Sequence, residues 1–304
     1  MRVLITGGSG FIGSHLAESF QGEAEVRVLD DLTTGRAENL AGLEVDFRNG
    51  SIMDDKVLLE AVDGADYVFH LAAMVSVPAS VMAPAACGEL NGTGVLKVLQ
   101  AAAGAGVKKV FFASSAAVYG DNPVVPKTEG MLPEPKSPYA ITKLLGEHYC
   151  RFFHDEGRVD TAVLRFFNVF GPRQDPGGAY AAAVPIFIEK ALRGEPITIY
   201  GDGLQSRDFI YVKDIVAAIR HVTLTDGLTG VRNAGYGGTL TVKDLAEKIV
   251  AMAGSRSEIC YLPERAGDVK HSRAAVEALA ATGFRPVSNL EEGLAATMHY
   301  FKAG

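Results

Sequence analysis

Tyr139 and Lys143 stand four residues apart in Tyr139-Ala140-Ile141-Thr142-Lys143, inside a stretch whose pattern predicts a helix. That spacing puts both side chains on one face, a turn apart. A phenol titrates at about pH 10, and a neighbouring ammonium lowers that value by stabilising the phenolate. Such a pair can take a proton from a hydroxyl as the carbon beneath it is oxidised. Taken alone, the pattern is common, and a surface tyrosine above a lysine explains most examples. Its partner lies upstream: the apolar run Val110–Ala113 ends in Ser114-Ser115-Ala116-Ala117-Val118-Tyr119-Gly120. If that run is a strand of a parallel sheet, its carboxyl end faces the ligand side, and the serine hydroxyls with it.

The elements that must position these residues follow from periodicity. Short apolar runs at Val3–Ile5, Val26–Leu29, Tyr67–Leu71, Val110–Ala113 and Thr161–Leu164 predict strands buried on both faces. Between them lie helical patterns, including Phe11–Phe20, Ala83–Ala105 and Ser137–His154. The alternation predicts an α/β fold, a doubly wound parallel Rossmann sheet, over residues 1–165. After Phe166 the rhythm breaks at Gly171-Pro172, Pro176-Gly177-Gly178 and Gly201-Asp202-Gly203. Helical patterns return at Ala181–Arg193, Val212–Leu224, Thr241–Ala253 and Leu290–Phe301. Residues 166–304 read as a smaller C-terminal α/β lobe that binds substrate. Phe209–Val212 and Val231–Ala234 are candidates to rejoin the main sheet.

The first strand runs directly into Gly7-Gly8-Ser9-Gly10-Phe11-Ile12-Gly13, and a helix follows. Glycines at 7, 10 and 13 let backbone N–H groups and the positive helix end approach a pyrophosphate, where a Cβ would obstruct it. The second strand ends at Asp30-Asp31. A carboxylate there accepts hydrogen bonds from an adenosine ribose and repels a 2′-phosphate, which selects NAD over NADP.

Composition narrows the alternatives. Hydrophobic residues make up 48 % and charged residues 21 % of the 304-residue chain, as in globular proteins. The net charge of −7 without a basic run argues against nucleic acid or an anionic membrane as partner. An anionic substrate then needs a local pocket of arginine, lysine and backbone N–H groups. Cys87, Cys150 and Cys260 are odd in number and widely spaced, which fits buried thiols in a reducing compartment and neither a disulfide framework nor a metal site. No signal segment and no apolar span of membrane length is read, so the expectation is a cytoplasmic protein.

Further motifs carry a resemblance. His70-Leu71-Ala72-Ala73 closes the strand Tyr67–Leu71, Asn91 follows in the next helix, and Arg165-Phe166-Phe167-Asn168-Val169-Phe170-Gly171-Pro172-Arg173 follows Thr161–Leu164. Gln205-Ser206-Arg207-Asp208-Phe209-Ile210-Tyr211-Val212-Lys213-Asp214 and Arg265-Ala266-Gly267-Asp268 complete the set. Over nearly its full length the chain resembles the extended short-chain dehydrogenase/reductase family, in its NAD-dependent epimerase/dehydratase group. That resemblance implies Ser115, Tyr139 and Lys143 as catalytic residues, with Ser115 on the reacting sugar oxygen and Lys143 also on the nicotinamide ribose. It implies NAD contacts from Gly7, Gly10, Phe11, Ile12, Gly13, Asp30, Asp31, Ser51, Ile52, Leu71, Ala72, Ala73 and Asn91. Asn168, Arg207 and Arg265 would grip a diphosphate, Tyr200 would pack by uracil, and Asp268 and Ser272 would border the sugar. The family usually has an aspartate where Ser51 stands, to meet the adenine amino group.

The resemblance also bears on the reaction. Family dehydratases carry an Asp-Glu pair where this chain has Ala116-Ala117, and two alanines supply no acid or base for loss of water. Reversible oxidation at C4 of a UDP-hexose, with return of hydride to the other face, is the implied chemistry. A UDP-glucuronate 4-epimerase or decarboxylase is the alternative, and a non-catalytic NAD sensor a more distant one. A small Ser272 would leave room for an N-acetyl group beside C2. Helices Ala83–Ala105 and Ser137–His154 would pair across a two-fold axis in a homodimer.

Overall fold

A computed structural model describes residues 1–177, 181–264 and 270–303. The chain folds as two compact units. The first contains Met1–Val118, Pro133–Arg165 and Val216–Arg232; the second contains Tyr119–Leu132, Phe166–Ile215 and Asn233–Gly304. Besides the boundary expected after residue 165 and a later segment, here 216–232, returning to the first unit, residues 119–132 fold with the second.

In the first unit, β1 (Arg2–Thr6), α1 (Phe11–Ser19), β2 (Glu25–Asp30), β3 (Asp46–Asn49), α2 (Asp55–Val62) and β4 (Tyr67–His70) follow in order. Next come α3 (Val77–Met82), α4 (Pro84–Cys87), a π-helical turn Gly88–Thr93, α5 (Gly94–Gly104), β5 (Lys109–Ser115), α6 (Pro138–Asp155) and β6 (Asp160–Phe166). In the remaining chain are β7 (Asn168–Phe170), α7 (Ala183–Arg193), β8 (Ile197–Tyr200), β9 (Ser206–Arg207), β10 (Phe209–Tyr211), α8 (Val212–Leu224) and β11 (Gly230–Ala234). Then follow β12 (Leu240–Thr241), α9 (Val242–Ala253), β13 (Ile259–Leu262), α10 (Glu277–Ala280) and α11 (Leu290–Ala303).

The main sheet has the order β11-β6-β5-β4-β1-β2-β3, and β3, β2, β1, β4 and β5 run parallel. The order reverses between β1 and β4, which opens a crevice at their carboxyl ends. Strand residues alternate between two cores. Leu4, Val68, Val110 and Phe112 pack with Val98, Leu99 and Phe153 on one face. Phe20, Phe69 and Phe111 pack as tilted rings on the other, with centroids 5.3 and 6.4 Å apart. The edge strand β3, Asp-Phe-Arg-Asn, has no apolar run and its side chains are mostly exposed. Arg27 anchors it, reaching Asp46 at 2.9 Å and the α2 carbonyl of Ala61 at 2.7 Å.

Of the two candidates for rejoining the main sheet, β11 does so, whereas β10 pairs in parallel with β7. The second unit also holds β9 antiparallel to β12 and β8 parallel to β13. Side chains cap the starts of three helices: Asp54 for α2, Ser137 for α6 and Thr241 for α9. Cys87 and Cys150 are buried as expected; Cys260 is exposed, because β13 turns it outward. Among the described residues no helix is long and apolar enough to cross a membrane, and no His, Cys, Asp and Glu group is arranged to hold a metal.

Candidate active site

The glycine loop is built for close approach. Gly7 has φ +73°, and a Cβ on it would lie 2.7 Å from the Ala72 nitrogen, so the loops after β1 and β4 meet at the point where strand order reverses. A Cβ on Gly13 would lie 2.2 Å from the Gly7 carbonyl oxygen. α1 starts at Gly10 with no side-chain cap, so Phe11, Ile12 and Gly13 offer first-turn N–H groups that lack partners within the helix. Beside them the Ser9 hydroxyl is buried without a hydrogen-bond partner. This uncapped helix end and orphaned hydroxyl fit the pyrophosphate of a dinucleotide.

The two aspartates at the end of β2 differ in surroundings. Asp30 is buried, and its carboxylate accepts the Ser9 N–H at 2.8 Å and the Leu32 N–H at 2.9 Å, pinning the glycine loop to β2. Burial pushes its carboxyl above the ordinary value against these two bonds. Asp31 is exposed, and its carboxylate accepts the Thr33 N–H at 3.0 Å. Ser51 already accepts the Met53 N–H at 3.2 Å, while Ile52 is buried against the space a Cβ on Gly94 would enter. After β4, Leu71 donates to the Thr6 carbonyl at 3.0 Å and Ala72 to the Thr6 hydroxyl at 3.4 Å, so Leu71-Ala72-Ala73 is fixed to β1. His70 shares the Thr6 hydroxyl at 2.8 Å; burial first, and Lys143 second, lower its pKa to about 3 and keep it neutral.

Asn91 lies in the π-helical turn that interrupts the expected single helix Ala83–Ala105. Its amide brackets Met74, accepting the N–H at 2.8 Å and donating to the carbonyl at 3.0 Å, and it reaches the Thr142 hydroxyl at 3.2 Å. It therefore clamps the loop after β4 to α6.

α6 carries the candidate catalytic pair. Ser137 caps it by accepting the Ala140 N–H at 3.2 Å, Pro138 opens its first turn, and Ser80 of α3 accepts the Tyr139 N–H at 3.1 Å. Tyr139 hydrogen-bonds Ser115 through its phenol. The Lys143 ammonium donates to the Ala113 carbonyl at 2.8 Å and lies 5.6 Å from the Tyr139 ring centroid and 5.1 Å from that of Phe112. Burial holds the Tyr139 phenol above its ordinary value, with the Ser115 bond opposing, so the lowering predicted from spacing alone is outweighed by desolvation. Burial likewise lowers Lys143 to about 8, with Cys87 acting the other way.

The sugar-side expectations fall in the second unit. Asn168 donates its side-chain amide to the Asp208 carbonyl at 3.1 Å. The Arg207 guanidinium donates to the Ser206 carbonyl at 3.0 Å, and Ser272 donates its N–H to the same carbonyl at 3.1 Å. Gln205 bonds the Tyr200 carbonyl at 2.8 Å, so Tyr200, Arg207 and Ser272 gather around one short segment. Arg265 and Asp268 lie outside the described residues.

Sequence reasoning missed Asp208. Its fully buried carboxylate accepts N–H groups of Tyr236, Gly237 and Ala274 at 2.8, 3.0 and 3.0 Å. The segment around Ala274 is also held by Lys127, which donates its N–H to the Arg273 carbonyl at 2.8 Å. The only available signal was an acid between Arg207 and Phe209, and nothing local distinguishes it from a solvated charge.

The sequence matches the NAD dependent epimerase/dehydratase family over residues 3–235. A UDP-glucose 4-epimerase of Mycolicibacterium smegmatis is 37 % identical over 310 residues, covering 99 % of both chains. A UDP-N-acetylglucosamine 4-epimerase from Methanobrevibacter ruminantium, solved with UDP-N-acetylmuramic acid, superposes with a TM-score of 0.96 at 42 % identity over 99 % of this chain and 98 % of that one. The Thermus thermophilus UDP-glucose 4-epimerase in complex with NAD gives 0.92 at 37 % identity over 100 % of each. With a cradle that fits a dinucleotide and a family match across most of its length, the chain belongs to the NAD-dependent epimerase/dehydratase family, and NAD is its cofactor.

Proposed function

We propose that this chain inverts C4 of a UDP-hexose, interconverting UDP-glucose and UDP-galactose and accepting UDP-GlcNAc and UDP-GalNAc. The observation that carries the reading is the buried Tyr139–Ser115 hydrogen bond beside Lys143, followed directly by Ala116-Ala117. Tyr139 takes the proton of the C4 hydroxyl and later returns it, while Ser115 holds the same oxygen. When bound, NAD would supply the hydride acceptor and donor, and the positive charge of its ring would favour the phenolate that burial alone disfavours. Lys143 holds the ribose beside that ring. Asn168, Arg207 and Arg265 grip the diphosphate, since guanidinium binds phosphate in a bidentate fork, and Tyr200 packs against uracil. Between the two half-reactions the 4-keto sugar turns about its diphosphate and presents its other face. Ala116 and Ala117 offer no acid or base for elimination. Asp268 and the small Ser272 border the sugar and leave space for a C2 N-acetyl group.

The enzyme acts as a cytoplasmic homodimer in this reading. Ile141, Leu145 and Phe152 are exposed along one stripe of α6, opposite Tyr139 and Lys143, and α3 exposes Val77, Val81 and Met82. A second copy would cover them.

Proton NMR of the NAD-loaded protein with UDP-glucose, UDP-GlcNAc and UDP-glucuronate tests the function. Inverted C4 in the neutral sugars supports it. Release of CO2 from the uronate with no inversion identifies a decarboxylase, and no turnover of any sugar favours a sensor.

A further inference from the structure

We propose that Glu147, Arg165 and Ser114 form a buried positioning cluster that sets the Ser115–Tyr139 hydrogen bond. The inference rests on the epimerase reading above and adds residues that touch neither substrate nor cofactor. Three consecutive residues at the end of β5 are gripped by three consecutive turns of α6. The Ala113 carbonyl accepts from Lys143 at 2.8 Å, the Ser114 hydroxyl donates to Glu147 Oε1 at 2.5 Å, and the Ser115 hydroxyl bonds Tyr139. Arg165, near the end of β6, holds the Glu147 carboxylate in a fork, Nε to Oε1 at 2.8 Å and Nη2 to Oε2 at 2.6 Å. Both charged side chains are 5 % exposed.

Stability is a weak reason for such a pair, because apolar replacements of buried ion pairs are often neutral or stabilising. Geometry is a better one. A bidentate guanidinium fixes the carboxylate plane, and the carboxylate fixes Ser114, the immediate neighbour of Ser115. α6 also presses tightly on β5, since a Cβ on Gly146 would fall 2.3 Å from Phe112 Cζ. Loosening one grip therefore moves the strand end against the helix, and the Ser115–Tyr139 contact is the one with chemical consequence. The groups facing the Tyr139 phenol are Ser115 from β5, Cys87 from α4 and Lys143 of its own helix; His70 of β4 faces Lys143.

The test uses NAD-loaded Ser114→Ala, Glu147→Gln, Arg165→Lys and Arg165→Met. Ser114→Ala is the decisive variant, because it leaves the ion pair intact if Glu147→Gln fails to fold. A displaced Ser115 should lower kcat about 10- to 100-fold, with KM and bound NAD unchanged within about twofold. Arg165→Lys should retain more of kcat than Arg165→Met. Ultraviolet difference titration of each variant against its Tyr139→Phe counterpart reads the phenol without any substrate. Its titration should move upward, since the Ser115 bond is what opposes the effect of burial. A wild-type phenol titration and wild-type kcat in Ser114→Ala overturn the inference. An upward shift in a protein that inverts no UDP-sugar overturns the functional reading and supports the positioning cluster.

Discussion

The two units hold their candidate functional residues in opposite ways. In the first, side chains grip a strand end: Lys143, Glu147 and Tyr139 of α6 bond Ala113, Ser114 and Ser115 of β5, with two buried charges committed to the task. In the second, backbone groups do the holding. The segment carrying Ser272 is fixed through the carbonyls of Ser206 and Arg273, and one buried carboxylate, Asp208, collects three N–H groups around it. The difference matches the demands of each task. Proton and hydride transfer require reacting atoms placed to a fraction of an ångström and a tuned phenol. A diphosphate and a sugar ring that must turn over need fixed donors on a firm frame and tolerate looser side chains. Damage in the first unit should then appear in kcat, and damage in the second in KM and substrate choice.

The largest effect expected is in the first unit. Tyr139→Phe should lower kcat about 10²–10⁴-fold while NAD stays bound, as measured by steady-state rate and by the absorbance of extracted nucleotide. A variant that lost NAD instead would remove the distinction between chemical and binding roles. In the second unit, Ser272→Tyr should depress turnover of N-acetylated sugars about 10- to 100-fold and spare the plain hexoses, because overfilling a packed site costs about 1–3 kcal/mol. Equal loss on both would detach Ser272 from the C2 wall. Asp208→Asn replaces an oxygen acceptor with a donor facing backbone N–H groups. It should raise KM about fivefold to tenfold with kcat little changed, since an unsatisfied buried donor costs about 1–3 kcal/mol.

The smallest effect is on stability. Burial lowers Lys143 to about 8, below its ordinary 10.5, so between those values the unfolded chain binds the proton and the folded one does not. Stability therefore rises with pH across that window, by on the order of 1–3 kcal/mol. Lys143→Met should flatten this slope in urea melts recorded from pH 7 to 11; an unchanged slope would place its origin elsewhere.

The α/β alternation was legible because the central strands are apolar runs and the long helices between them carry a periodic pattern. α8 begins and ends where the pattern places it, and α6 is displaced by one residue at each end. β3 escaped because an edge strand need not be apolar, and Asp-Phe-Arg-Asn carries no run to find. β7 is three residues long, too short for periodicity to register, and the partner of β10 could not be read from its own sequence. The assignment of residues 119–132 to the second unit depends on pairings distant in sequence, such as Lys127 with Arg273. In the site, glycine spacing and the Tyr139–Lys143 pair were readable because they are local. Glu147 and Arg165 were not. A glutamate on an amphipathic helix reads as a solvent-facing charge, and only the fold shows that its face is the one against β5.

The central claim is that hydride leaves C4 and returns to the same carbon. UDP-glucose carrying deuterium at C4, incubated with the NAD-loaded protein in ordinary water and followed by NMR, tests it directly. UDP-galactose that keeps its deuterium at C4 is the predicted product. Inversion with the deuterium washed out to solvent, or deuterium gained by a second carbon, would contradict it.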